Sequence, residues 1–218
     1  QRRRFAPSID PELDHRARSR IHHLLLQVLD VLDPDGHPLH VAALRAELHQ
    51  LVRLGDAAAA SAAASADADA ASATVLNVAV LTAEERDTWA DAAEVLAAAG
   101  ARNADNLTAI HESLFVLCLD EASPEHGEGA MPRLLHGIGR DRWFDKPMQL
   151  IVFQNAVAGL NFEHSGTDGT VWGRLAMYAN ERAAGLTQPP AETPAPRTWA
   201  PTVRPLVWQV NERIRRAI

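Results

Sequence analysis

The larger apolar residues of this 218-residue chain come in short runs set between helix-spaced stretches, and that alternation limits the fold more than any other feature. Residues 24–32 (LLLQVLDVL) form a run of strand length, closed by the turn signal Asp33-Pro34-Asp35-Gly36. Apolar positions 41, 44, 48, 51 and 52 then fall at helical spacing, with Gly55 as a natural stop. Thr82 followed three residues later by Glu85 is a capping-box pattern, which predicts a helix from near Ala83 to Gly100. A second helix fits 105–111, and 114–119 (LFVLCL) reads as a buried strand. Residues 148–153 (MQLIVF) and 160–164 (LNFEH) flank a short loop containing Gly159, the pattern of a hairpin. A further helix fits 170–184, with Gly185 behind it. Strands and helices alternate, so the fold class is mixed α/β.

The flanks carry less information. Residues 1–20 are polar, have arginines at 2, 3, 4, 16, 18 and 20, and read as a basic surface arm. The α/β domain spans 21–188 and is interrupted at 57–73 by 12 alanines, three serines and two aspartates. That tract has no stripe of larger apolar residues to dock, so a flexible or partly helical surface insert is expected. Six prolines mark 189–205 as a linker, and 206–218 reads as the start of an amphipathic helix cut short. With Gln1 first instead of methionine, the chain reads as a piece of something longer.

Composition removes several function classes. Apolar residues make up 47%, but 40 of them are alanine, which leaves larger side chains for one core and not two. The formal charge is −7 and the only lysine is Lys146, against the basic domain of a nucleic-acid binder. A single cysteine, Cys118, excludes an internal disulfide framework and a cysteine zinc cage. No 18-residue apolar stretch exists to span a membrane, and nothing marks export, so a cytoplasmic location is expected.

The informative segment is LNFEHSGTDG, residues 160–169. His164 falls at the end of a strand, and Thr167 or Asp168 can cap the helix that follows. Strand ends facing a helix N-terminus are frequent places for catalytic groups in α/β proteins. A neutral imidazole can take a proton from a hydroxyl or thiol near pH 7. Asp168 can fix the local geometry, by capping backbone N–H groups or by pairing with an arginine. Spacing does not say whether it touches His164. By pattern alone an ordinary turn with a helix cap is the preferred explanation of the segment.

The wider stretch RWFDKPMQLIVFQNAVAGLNFEHSGTDG, residues 142–169, closely resembles the choline/carnitine O-acyltransferase family. The RWFDK box, the glycine-containing turn and an EH(S) segment with an acid four residues after the histidine occur in the family's order. LNVAVLTAEERDTW (76–89), SLFVLCLD (113–120) and LHGIG (135–139) are similar to other family segments. The resemblance implies acyl transfer between coenzyme A and the hydroxyl of carnitine or choline, with His164 as general base and no acyl-enzyme. It implies a chloramphenicol-acetyltransferase-like mixed sheet with flanking helices, incomplete here because the family has two such domains with the active site between them. Acyl-CoA is then a co-substrate, no cofactor is bound, and the second domain of the same chain is the missing partner. No residue here can be assigned to holding coenzyme A. Asp168 belongs to a signature shared with chloramphenicol acetyltransferase and condensation domains, where it tends to be structural. Those proteins often carry a second histidine before the catalytic one, and Glu163 in that place favours the carnitine branch. The chain departs from the family at Asp141, usually asparagine, and at Asn155-Ala156, usually Asp-Gly. Two alternatives stand beside this reading: a non-catalytic module, and a chloramphenicol-acetyltransferase-like enzyme acting on another alcohol.

Other candidates are weaker. His22 and His23 are adjacent and would point to opposite faces of a strand. His37 and His40 sit in a Pro-Gly turn with no further ligand nearby, so no metal site is expected. Gly137-Ile138-Gly139 completes no phosphate-loop pattern and reads as a plain loop. Cys118 reads as a small core residue. Trp143 and Phe144 beside Lys146 could line a ligand wall, with core packing the preferred role.

Overall fold

Strand β3, Met148–Phe153, organises the larger part of the molecule because its alternate side chains Gln149, Ile151 and Phe153 are all buried. The computed structural model describes residues 27–64, 78–120, 122–125, 127–139, 141–164, 166–184 and 203–218. They fall into two compact units, one built from 78–182 with 207–218 and the other from 27–64 with 203–206.

In the first unit, β2 (Val116–Asp120) runs parallel to β3, and β4 (Ala158–Phe162) runs antiparallel on its other side. The result is a mixed three-stranded sheet in the order β2-β3-β4. Cys118, Ala130, Ile151, Phe153 and Val157 form its core, with Val116, Ala122 and Leu134 packed against them. The parallel β2–β3 step is bridged through α4 (Met131–His136), as parallel neighbours require a crossover. Helices α2 (Arg86–Ala98) and α3 (Asn103–Glu112) precede the sheet, and α5 (Gly169–Ala184) follows it. The short helix α6 (Glu212–Ala217) closes the unit.

Two buried asparagines hold the segment before α6. Asn103 Nδ2 donates to Leu96 O (2.7 Å) and Gln209 O (2.6 Å), and Asn106 Nδ2 donates to Val207 O (2.8 Å). This docking stacks Trp208 on Trp143, with ring centroids 6.2 Å apart.

In the second unit, β1 (Gln27–Leu29) pairs antiparallel with β5 (Val203–Pro205), and α1 spans Val41–Ala64. His40 starts α1, its Nδ1 accepting the N–H of Ala42 at 3.3 Å.

Four expectations are corrected. Gly55 does not stop α1, because the alanines after it are the strongest helix formers and carry the helix to Ala64. The cap of α2 is Glu85, whose carboxylate accepts from Asp87 N (3.0 Å) and Thr88 N (3.4 Å). Thr82 lies in a 3-10 turn, Val78–Ala83, where its hydroxyl donates to Ala79 O instead. Gly159 is in β4, paired with Ile151, and not in the turn; a Cβ there would meet Leu134 at 2.7 Å, so the strand needs glycine at this position. The last helix begins at Glu212 and not at 206, because Asn211 caps it by accepting Ile214 N (3.0 Å). The arm at 1–20, residues 24–26, the second half of the alanine tract and most of the proline-rich stretch lie outside the described residues.

The hairpin turn between β3 and β4 places Ala156 at φ 65°, in the left-handed region. A side chain there costs on the order of 1 kcal/mol, which glycine avoids. Ala156→Gly should therefore raise stability by about 1 kcal/mol in chemical denaturation, since the turn geometry outweighs the entropy glycine adds to the unfolded chain. An unchanged or lower midpoint would contradict this reading of the turn.

Candidate active site

Each residue of the segment Arg142-Trp143-Phe144-Asp145-Lys146 is fastened to surrounding elements. The Arg142 side chain is 1% exposed and pairs with Asp120 at the end of β2 (2.7 Å) and with Asp141 (3.2 Å). It also donates to Arg133 O in α4 (2.9 Å). Trp143 donates its N–H to Gln149 Oε1 on β3 (2.8 Å) and meets Trp89 of α2 edge-on, with centroids 5.9 Å apart. Phe144 donates its N–H to Thr82 Oγ1 (2.9 Å). Asp145 accepts from Trp89 Nε1 (2.7 Å) and pairs with Arg86. The Lys146 ammonium donates to Ile110 O (2.7 Å), His111 O (2.8 Å) and Ser113 O, at the negative end of α3. Burial lowers the Lys146 pKa.

These fastenings fix the chain where β4 ends. The next residue, Pro147, accepts the N–H of Glu163 at 3.1 Å. Asn161 Nδ2 ties β4 to α4 through Leu134 O (3.0 Å) and Leu135 O (2.7 Å). Phe162 packs against Trp172, ring centroids 6.2 Å apart, which sets the start of α5 beside the strand end.

His164 stands two residues beyond β4 with its side chain 72% exposed. Asp168 Oδ1 accepts from Thr170 N (2.8 Å) and Thr170 Oγ1 (2.6 Å), so Asp168 caps α5. Its other oxygen, Oδ2, lies 3.8 Å from His164 Nε2, close enough for charge attraction and too far for a hydrogen bond. The two residues picked from the sequence are thus brought together, with Asp168 engaged first by the helix backbone. The Thr170 hydroxyl, then the Thr170 N–H and the neighbouring imidazole hold the Asp168 carboxyl below the usual aspartate range.

The other candidates separate cleanly. Cys118 is buried, and desolvation pushes its thiol up to about 11, so it stays protonated near neutral pH. Trp143 and Lys146 are buried structural groups, as preferred from the sequence. Gly137 and Gly139 have φ of 54° and 82°, and Asp141 Oδ1 accepts Ile138 N (2.9 Å) across that loop. One expectation about ligands is corrected: the turn folds Asp33 and Asp35 beside His37, with potential ligand atoms within 4.8 Å of one another. The cause is local, because Asp33 Oδ1 accepts the N–H groups of both Asp35 (3.0 Å) and His37 (2.8 Å). His22 and His23 lie outside the described residues.

Sequence reasoning missed Arg86, which reaches Glu163 Oε1 at 3.3 Å while also pairing with Asp145. Arg86 and Glu163 are 77 positions apart, and no local spacing rule joins them.

The family model for choline/carnitine O-acyltransferases matches residues 22–218. The chain belongs to the choline/carnitine O-acyltransferase family. Among curated relatives, carnitine O-palmitoyltransferase 2 of Xenopus tropicalis is 31% identical over 88% of this chain and 27% of its own length. The rat protein of the same name is 34% identical over 77% of this chain and 22% of its own. Peroxisomal carnitine O-octanoyltransferase of Bos taurus is 39% identical over 48% of this chain and 18% of its own. This acyltransferase-family chain therefore spans about a quarter of the carnitine O-palmitoyltransferases it matches. Among the described residues, no helix is long and apolar enough to cross a membrane.

In this family member, Asp168→Ala should lower the melting temperature at neutral pH by removing the cap of α5. The folded-state pKa of Asp168 is depressed, so its stabilisation is complete above the usual carboxylate range and fades as pH falls through the depressed value. The gap in melting temperature between parent and variant should accordingly narrow in acid. A gap that stays constant down to low pH would place the effect elsewhere.

Proposed function

We propose that this chain carries the general base of an acyltransferase that moves an acyl group between coenzyme A and the hydroxyl of carnitine or choline. The observation that carries the reading is the exposed His164 side chain at the end of β4, beside the Asp168-capped start of α5. The family assignment supports the same role. His164 takes the proton of the acceptor hydroxyl while that oxygen attacks the thioester carbonyl. The C–S bond then breaks, and the departing thiolate recovers the proton from the imidazolium. Every proton moves through one residue, so no acyl-enzyme is needed. In this reading the three-stranded sheet belongs to a chloramphenicol-acetyltransferase-like fold. A second domain supplies the opposite wall and most contacts to acyl-CoA and the acceptor.

Two measurements test it. His164→Ala in the full-length protein should lower kcat by about 10²–10⁴-fold, the usual worth of general-base catalysis, with the melting temperature preserved. Near-parent turnover in a folded variant would remove His164 from the mechanism. Separately, the 218 residues alone should release no coenzyme A from acyl-CoA with carnitine or choline, because both substrates must be held against the base. Turnover by this piece that His164→Ala abolishes would show the site to be complete without a second wall.

A further inference from the structure

We propose that Lys146 is a positioning residue for His164, its buried ammonium locking the last rung of the β3–β4 ladder to the end of α3. The proposal rests on the reading of His164 as the base. Lys146 is the only lysine in a chain with 20 arginines, and it is 4% exposed. A buried ammonium loses its water, and backbone carbonyls replace that water here. They are Ile110 O (2.7 Å), His111 O (2.8 Å) and Ser113 O, all at the C-terminal end of α3, where the helix dipole favours a cation. The three carbonyls converge on one nitrogen. An ammonium carries three donors on a single atom and can meet them all, whereas a guanidinium spreads its donors over a plane. That geometry gives a physical reason for lysine at this position in a chain that otherwise uses arginine.

What the ammonium holds in place is the residue next to it. The Lys146 backbone N–H donates to Trp143 O (3.2 Å), so both its main chain and its side chain are tied down. Pro147 follows, and its carbonyl accepts the N–H of Glu163 at 3.1 Å, one step beyond the Met148–Phe162 pair that ends the β3–β4 register. Proline has no N–H to give back, so this rung is a single bond. It forms only while Pro147 O sits in place, fixed by β3 on one side and by Lys146 on the other. Glu163 is then joined covalently to His164. The path from the end of α3 to the base is therefore short: three carbonyls to the ammonium, one peptide bond, one rung and one more peptide bond. Releasing the ammonium loosens the rung and lets the backbone at His164 drift, and a misplacement of about 1 Å can cost about 10²-fold in rate.

The test uses the full-length protein, with acyl-CoA and carnitine or choline as substrates, at a temperature well below the melting point of each variant. Lys146→Met keeps the apolar stem and removes all three donors. It should lower kcat about 10–10²-fold and leave KM for both substrates unchanged, because substrate contacts are not what Lys146 makes. Amide hydrogen exchange should show the Glu163 N–H opening faster in the variant while the amides of α5 stay as in the parent. On a His164→Ala background the same change should cost nothing further, since Lys146 acts only through the imidazole. A merely structural role would lower that residual rate again. Should Lys146→Met fail to fold, Lys146→Arg keeps the charge without the three-way convergence and should show the same fall in kcat with KM unmoved. The parent provides a further reading, since its Glu163 amide should exchange as slowly as the amides paired within β3 and β4. Parent-level kcat in either folded variant, a second loss on the His164→Ala background, or a freely exchanging Glu163 amide in the parent overturns the proposal. His164→Ala separates the two claims: if it is impaired while Lys146→Met turns over normally, only the role of Lys146 fails. If His164→Ala keeps near-parent turnover, the base assignment falls and this proposal with it.

Discussion

The buried guanidinium of Arg142 is the constraint on which the placement of β2, α4 and the chain entering β3 depends. A charge withdrawn from water to 1% exposure is tolerated only when opposite charge and hydrogen-bond acceptors surround it. Here Asp120, Asp141 and the carbonyls of Asp141 and Arg133 engage its two terminal nitrogens, from the end of β2, the loop before the RWFDK segment and α4, while Nε is buried without a partner. Such a pair adds little net stability over an apolar packing, but losing one partner costs about 3–5 kcal/mol. Its value is therefore in specificity. It allows one relative placement of β2, α4 and the chain entering β3, and the parallel register of β2 on β3 follows from that placement.

The four residues after Arg142 extend the same logic outward. Trp143 and Phe144 give their N–H groups to buried side-chain acceptors, so the backbone donors of these two residues stay paired in an irregular segment. Lys146 replaces solvent at the C-terminus of α3 with three carbonyl contacts, which ties a helix end to the start of the hairpin. Phe144 and Asp145 are only half-buried, and Asp145 is the one that pairs with Arg86. A buried, hydrogen-bonded segment thus underlies the strand end that carries the exposed His164.

Much of this was legible in the sequence. The strand 148–153 was found with its observed bounds, because a short, almost continuous apolar run ahead of a glycine-containing loop is a strand signal. The EHSGTDG segment was placed at a strand end before a capped helix, and Asp168 caps that helix. The errors share a cause. Gly55 looked like a stop, yet a glycine breaks a helix only when the residues after it do not sustain one, and alanines do. Gly159 looked like a turn residue, yet it is needed in the strand because Leu134 occupies the space of its side chain. Thr82 looked like a cap, but its hydroxyl was taken by Ala79 O and Phe144 N. In each case a local preference yielded to a partner distant in sequence or to the residues beyond the window.

The sequence by itself determined the mixed α/β class, the family, the hairpin and the places of His164 and Asp168 at a strand end and a helix start, because these depend on periodicity, turn chemistry and motif order within short windows. Only the tertiary structure decided why RWFDK matters and which groups surround the imidazole. Arg86 meets Glu163 across 77 residues, Arg142 meets Asp120 across 22, and Lys146 caps a helix that ends well before it. Charge pairing acts through space over a few ångströms and is indifferent to separation along the chain. Its partners become visible only once the backbone has brought them together.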